Sequence, residues 1–154
     1  MTNKQAGVRK EPAPSVIQPK VGHVVPDSLQ VIVPHRTPKL TKAALQYAAT
    51  LADGLNVRLR LIDVHVVPYG VPLDEPTVDP KHLERRLRTI AQETDLPISA
   101  EVVYARDWEQ GLRRSLRPGS VVLMAIHGSW WRTSEKRLAA RLRKAGHQVV
   151  WVEC

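Results

Sequence analysis

Short β-branched runs alternate with stretches of helical spacing along most of this chain, and that alternation limits its fold more than any other feature. Leu29–Pro34 (LQVIVP) is an apolar run stopped by proline, the pattern of a buried strand. Leu40, Ala43, Ala44, Tyr47, Ala48 and Leu51 then recur at helical spacing, and Gly54 stands where a left-handed C-terminal cap is usual. This helix is capped either by Thr41 or by Thr37 with Pro38 in the first turn. Residues 57–67 (VRLRLIDVHVV) read as a second strand. Asp79-Pro80 opens a second helix, with Leu83, Leu87, Ile90 and Ala91 inward. Residues 98–105 (ISAEVVYA) form a third strand, and Asp107 caps a short helix carrying Trp108, Leu112 and Leu116. Pro118-Gly119 ends that helix, and residues 120–126 (SVVLMAI) make a fourth strand. Ser134 caps a last helix with Leu138, Leu142 and Ala145 inward, Gly146 closes it, and residues 148–152 (QVVWV) are the fifth strand.

Five strands alternating with four helices predict an α/β domain, a parallel sheet with helices on both faces. Ligands of such sheets bind beyond the carboxyl ends of the strands, where strand order reverses. Residues 1–28 read instead as a flexible arm: Pro12, Pro14, Pro19 and Pro26 interrupt it and no apolar period is sustained, so the domain is placed at 29–154. The sequence has no apolar run long enough to cross a bilayer, no apolar signal region, and a single cysteine, Cys154, that cannot form an internal disulfide. These features predict a cytoplasmic protein without membrane insertion. The net charge of +8 is gathered in Arg85-Arg86-Arg88, Arg113-Arg114-Arg117 and a run from Lys136 to Lys144. Most of that charge is read as solvating helix faces, with weak, salt-sensitive polyanion binding as a further function class. No recognised nucleic-acid module contains these clusters.

Two motifs carry a family resemblance. The first strand runs VIVPHRTP into the alanine-rich ALQYAATLA, and the fourth runs Met124-Ala125-Ile126-His127-Gly128. Over residues 29–154 the chain resembles the universal stress proteins, whose first strand commonly ends V-P-x-D-G-S and whose fourth enters M-G-x-H-G. The resemblance implies a three-layer α/β/α fold of the adenine nucleotide alpha hydrolase-like, Rossmann-like kind, with sheet order 3-2-1-4-5. It places the crevice between strands one and four, walled by residues 34–38 and 127–133. It also implies a stress-response setting and dimers formed through the final strand.

The departures fall on the nucleotide contacts. Val33, Pro34, Met124, His127 and Gly128 match, but Arg36 stands at the adenine-contacting aspartate and Ala125 at the first glycine. Counting on from the fourth-strand motif places the family's closing glycine-serine pair at Leu138-Ala139, and aligning back from the last strand places it at Glu135-Lys136; the two differ by three residues, so the loop after Gly128 is shortened and that pair is missing. Glycines let backbone N–H groups approach phosphates, whereas Ser129-Trp130-Trp131-Arg132 inserts bulk there. ATP binding in the family's manner is therefore not expected, and no cofactor is assigned.

Pro34, His35, Arg36, Asp63, His127, Gly128, Ser129 and Arg132 are the ligand-binding candidates, with an anion carried by Arg36 and Arg132. The sequence contains no G-x-S-x-G elbow and no catalytic set emerges. Asp63 lies on the second strand, where a buried carboxylate needs a partner, and His35 or Arg36 is expected to supply one. His35, His65, His82 and His127 lack metal-ligand spacing, so no metal site is assigned. One of the tandem tryptophans Trp130 and Trp131 is expected to fill the shortened loop and the other to be exposed. Val149, Val150, Trp151 and Val152 are apolar on both strand faces, which suits a homodimer built on the last strand.

Overall fold

A computed structural model describes residues 28–128 and 133–154. The expected arm, the tandem tryptophans, and the candidates Ser129 and Arg132 lie outside the described residues. The strands are β1 (Leu29–Pro34), β2 (Val57–Val66), β3 (Ile98–Ala105), β4 (Val121–Ile126) and β5 (Gln148–Glu153). The helices are α1 (Pro38–Ala52), α2 (Pro80–Gln92), α3 (Trp108–Ser115) and α4 (Thr133–Lys144). All strand pairs are parallel, in the order β3-β2-β1-β4-β5 that the resemblance implied.

Strand alternation splits the core in two. Val31, Val33, Leu59, Leu61, Leu123 and Ala125 face α1 and α2. Ile32, Ile62, Val64, Val122 and Met124 face α3 and α4. A strand buried on both sides has to be apolar at every position, which is why LQVIVP and SVVLMAI read as continuous runs. Both helices that follow β1 and β2 lie on one face, and both that follow β3 and β4 on the other. The change of face marks the point where strand order reverses, between β1 and β4.

Local signals fixed most helix starts. Thr37, rather than Thr41, caps α1: its side chain accepts from the Leu40 N–H, with Pro38 in the first turn. Thr41 is instead buried and bonded elsewhere. Asp79 accepts from Lys81 N–H ahead of Pro80, and Asp107 from Gln110 N–H. Three expectations are corrected. The buried stripe of α1 is Thr41, Ala44, Leu45 and Ala48, while Tyr47 and Leu51 are exposed. The stripe is rotated because α1 packs across both β1 and β4, with Leu45 buried in the core beneath it. In α4, Ala139 is buried in place of Ala145, which sits beyond the last turn and is exposed. Ser134 lies inside α4, which begins at Thr133, so it is not the cap.

Candidate functional site

The crevice originates in the sheet. β1 pairs with β2 across six positions but with β4 across only two, Val31–Val121 and Ile32–Val122. Successive N–H groups of a strand point to opposite neighbours. The His35 N–H donates to Ile62 C=O on the β2 side at 2.7 Å, so the preceding residue faces β4. That residue is Pro34, which has no N–H to donate. The β1–β4 ladder stops there and the two strands part.

A cavity of about 600 Å³ opens at this point. Of the sequence candidates, His35, Arg36, Asp63 and His127 line it. Pro34 is buried behind it as the last residue of β1, and Gly128 is exposed beyond it with a left-handed φ of 73°. That conformation accounts for a glycine at the turn out of β4.

His35 is only 5% exposed. Its Nδ1 lies 2.8 Å from Thr41 Oγ1, and its Nε2 lies 3.5 Å from the Arg86 guanidinium. Arginine can only donate, so Nε2 must offer its lone pair and Nδ1 carries the proton toward Thr41. Burial pushes the His35 pKa below its ordinary value; the Asp63 carboxylate works in the opposite direction and Arg86 adds to the lowering. Thr41 Oγ1 also receives the Arg36 N–H at 3.4 Å. One hydroxyl on α1 thereby ties down two of the three residues between β1 and α1, His35 and Arg36.

Arg36 does not pair with Asp63. Its guanidinium stacks over Trp108 of α3, 4.5 Å from the ring centre, and comes within 3.8 Å of Glu135 on α4. Asp63 is half-buried and makes no ion pair among the described residues; its carboxylate acts on His35, the other partner that the sequence offered. His127 is exposed, with Nδ1 3.0 Å from the Cys154 carbonyl oxygen, so β5 holds it. Among the described residues, no three His, Cys, Asp or Glu side chains gather as a metal set.

Sequence reading missed Arg86, Trp108, Glu135 and Leu40 as crevice residues. Arg86 was visible only as one of three clustered arginines. Its signal is the place it holds three residues after Leu83 and one before Leu87, at the border of the buried stripe. Trp108 carried a signal too: a tryptophan one residue after the helix cap faces the carboxyl ends of the strands.

Arg36, which the resemblance aligns with the adenine-contacting aspartate, is a guanidinium stacked on Trp108 beside Glu135, and it can only donate where a carboxylate would accept.

No protein-family model matches this chain, and no curated protein sequence does. Solved structures do. A universal stress protein from Archaeoglobus fulgidus superposes with a TM-score of 0.55 at 11% identity, covering 80% of this chain and 92% of that one. A universal stress protein in complex with cAMP superposes at 0.50 and 13% identity, covering 80% and 96%. The chain therefore has the universal stress protein fold, carried by a sequence in which few of the residues are shared.

Proposed function

We propose that this chain is a universal-stress-protein-like binding or regulatory domain of the cytoplasm that does not bind Mg-ATP in the family's manner. The observation behind this reading is Arg36, a cation stacked on Trp108 where that family's adenine carboxylate would stand. An open cavity remains beside it, bordered by Arg86 and the buried His35. Its ligand is a small anionic molecule held by Arg36 and Arg86; Arg132, the second cation expected from sequence, lies outside the described residues. The structural neighbour solved with cAMP makes cyclic nucleotides the first anions to try.

Calorimetry with Mg-ATP and with cAMP tests the reading. Mg-ATP is expected to give no saturable heat at micromolar concentration, and a stoichiometric isotherm would overturn that expectation. Binding of cAMP that survives Arg36→Ala and Arg86→Ala together would show that the two arginines are not the anion site.

The domain acts as a homodimer through β5, which ends the sheet. Val149 is buried against α4, whereas Val150, Trp151 and Val152 keep part of their surface exposed. A strand edge of this kind favours pairing with a second copy. Sedimentation equilibrium decides: a monomer at tens of micromolar would exclude the dimer, and Val150→Lys should dissociate it while the circular dichroism spectrum stays unchanged. No helix among the described residues is long and apolar enough to cross a membrane.

A further inference from the structure

Two of the three arginine clusters lie on the same side of the molecule, because α3 and α4 share one face of the sheet. They are tied there by the Arg141 guanidinium, which donates to both Glu109 carboxylate oxygens at 2.6 Å. The important quantity on such a face is the charge left after internal pairing. Two of its carboxylates are paired with cations, Glu109 with Arg141 and Glu135 with Arg36, while Asp107 keeps its charge and accepts from the Gln110 N–H at 2.9 Å as the cap of α3. Arg113, Arg114, Arg117, Arg137 and Lys144 are exposed, and among the described residues their side chains make no hydrogen bond or ion pair.

The α1/α2 face differs. Lys42 is paired with Glu93 at 2.6 Å, Arg86 turns inward to His35, and Glu84 stands exposed among Lys81, Arg85 and Arg88. Its cations are partly neutralised, while Arg113, Arg114, Arg137 and Lys144 of α3 and α4 make no ion pair among the described residues.

We propose that the α3/α4 face binds the phosphate backbone of double-stranded nucleic acid without reading its bases. Four of the five uncommitted cations are arginines, whose planar forks match phosphate oxygens. A lipid surface is disfavoured because membrane-docking helices place large apolar side chains beside their cations. Among the described residues, the exposed large hydrophobic side chains, such as Tyr47, Leu55 and Tyr69, all lie outside α3 and α4. Single strands are disfavoured for a related reason: they are held by stacking on exposed aromatic rings, and Trp108 is half-buried beneath Arg36. Among the described residues α3 and α4 present no exposed large hydrophobic beside these cations, and the regular phosphate ladder of a duplex is the partner their charge fits. This surface lies outside the crevice and does not depend on the ligand proposed there.

Fluorescence anisotropy of the full chain with a labelled DNA duplex, and with an RNA duplex of the same sequence, tests the proposal. If the five cations each neutralise a phosphate, affinity should fall by roughly 10²–10³-fold between about 50 and about 200 mM salt. Arg113→Gln, Arg114→Gln and Arg137→Gln combined should lower the log–log salt slope by about 2.7. A reference variant with Lys39→Gln, Lys81→Gln and Arg88→Gln removes equal charge from the opposite face and should leave the slope unchanged. Glutamine keeps negative charge away from the helix C-termini, and circular dichroism verifies both folds. Binding of both duplexes assigns the shared backbone as the ligand, and binding of one narrows it to that helix form. The proposal is overturned by absence of duplex binding at about 50 mM salt, by equal losses in both triple variants, or by binding to anionic vesicles in preference to duplex.

Discussion

The two faces of the sheet solve the same packing problem differently. On the α1/α2 side the core is closed at the top by polar groups taken inside: His35 and Thr41 are both nearly inaccessible and satisfy one another. On the α3/α4 side the helices approach through apolar contact, and charge stays outside, held by the Arg141–Glu109 pair. A buried polar pair positions its neighbours but is costly to disturb. An apolar contact supported by surface charge tolerates polar change and resists only changes of volume. The face that shapes the crevice is therefore chemically sensitive, and the opposite face is sterically sensitive.

The largest expected effect tests the steric side. Gly111 sits in α3 where a Cβ would come within 2.5 Å of Val64 Cγ1 and 2.8 Å of the Ala105 Cβ. Its missing side chain lets α3 lie directly on β2 and β3. Gly111→Leu should cost about 2–3 kcal/mol in urea unfolding, since overpacking outweighs the gain in helix propensity. Gly111→Ala should cost less, because a propensity gain of about 1 kcal/mol offsets part of the clash. If Gly111→Leu is neutral, the close approach of α3 is not what holds that face.

The next effect tests the chemical side. Thr41→Val keeps the shape and removes the oxygen that serves both His35 Nδ1 and the Arg36 N–H. An unsatisfied buried donor costs about 1–3 kcal/mol. Urea unfolding should register that loss, and crevice ligand affinity should fall with it. Thr41→Ser, which keeps the oxygen, should recover most of the stability.

How much of this was legible in the sequence follows the same division. The strands and three helix starts were written locally, since Thr37-Pro38, Asp79-Pro80 and Asp107 all open helices and the strands are apolar where both faces are covered, whereas the sheet order came from the family resemblance. His35, Arg36, Asp63 and His127 could be placed at the crevice because they lie at or near the carboxyl ends of their strands. Arg86, Trp108 and Glu135 could not, because they come from three different helices and meet only through tertiary packing. The same limit hid the partner of Arg36, which takes Glu135 and leaves Asp63 to His35, the alternative already offered by the sequence. Local pattern says which way a residue faces along its own element. It does not say which side chain from another element arrives there first.

A smaller effect separates the faces by pH. The folded-state pKa of His35 lies below its ordinary 6.5, chiefly because burial disfavours the charged ring. At pH values between the two, the unfolded chain holds a proton that the folded chain does not. Stability from this group is therefore fully present above 6.5 and is lost as pH falls through that window toward the folded-state value. Urea melts of the wild type should weaken on acidification across it, and His35→Asn should remove that part of the slope. An identical slope in the variant would place the pH dependence elsewhere.

The smallest effect on stability has the clearest consequence for binding. Glu109→Gln breaks the bidentate contact with Arg141 on the outer side of α3 and α4. Both side chains meet solvent, so water and salt replace most of what is lost. The melting temperature should shift less than in Thr41→Val or Gly111→Leu. Removing the carboxylate also frees the Arg141 guanidinium, which adds a sixth uncommitted cation to Arg113, Arg114, Arg117, Arg137 and Lys144. Duplex affinity at low salt should then rise, and the salt slope should steepen by about 0.9. Unchanged stability with tighter, more salt-sensitive binding would confirm that the charge of this face is held for a partner. Loss of stability without tighter binding would instead make the Glu109–Arg141 pair a structural tie between the two helices.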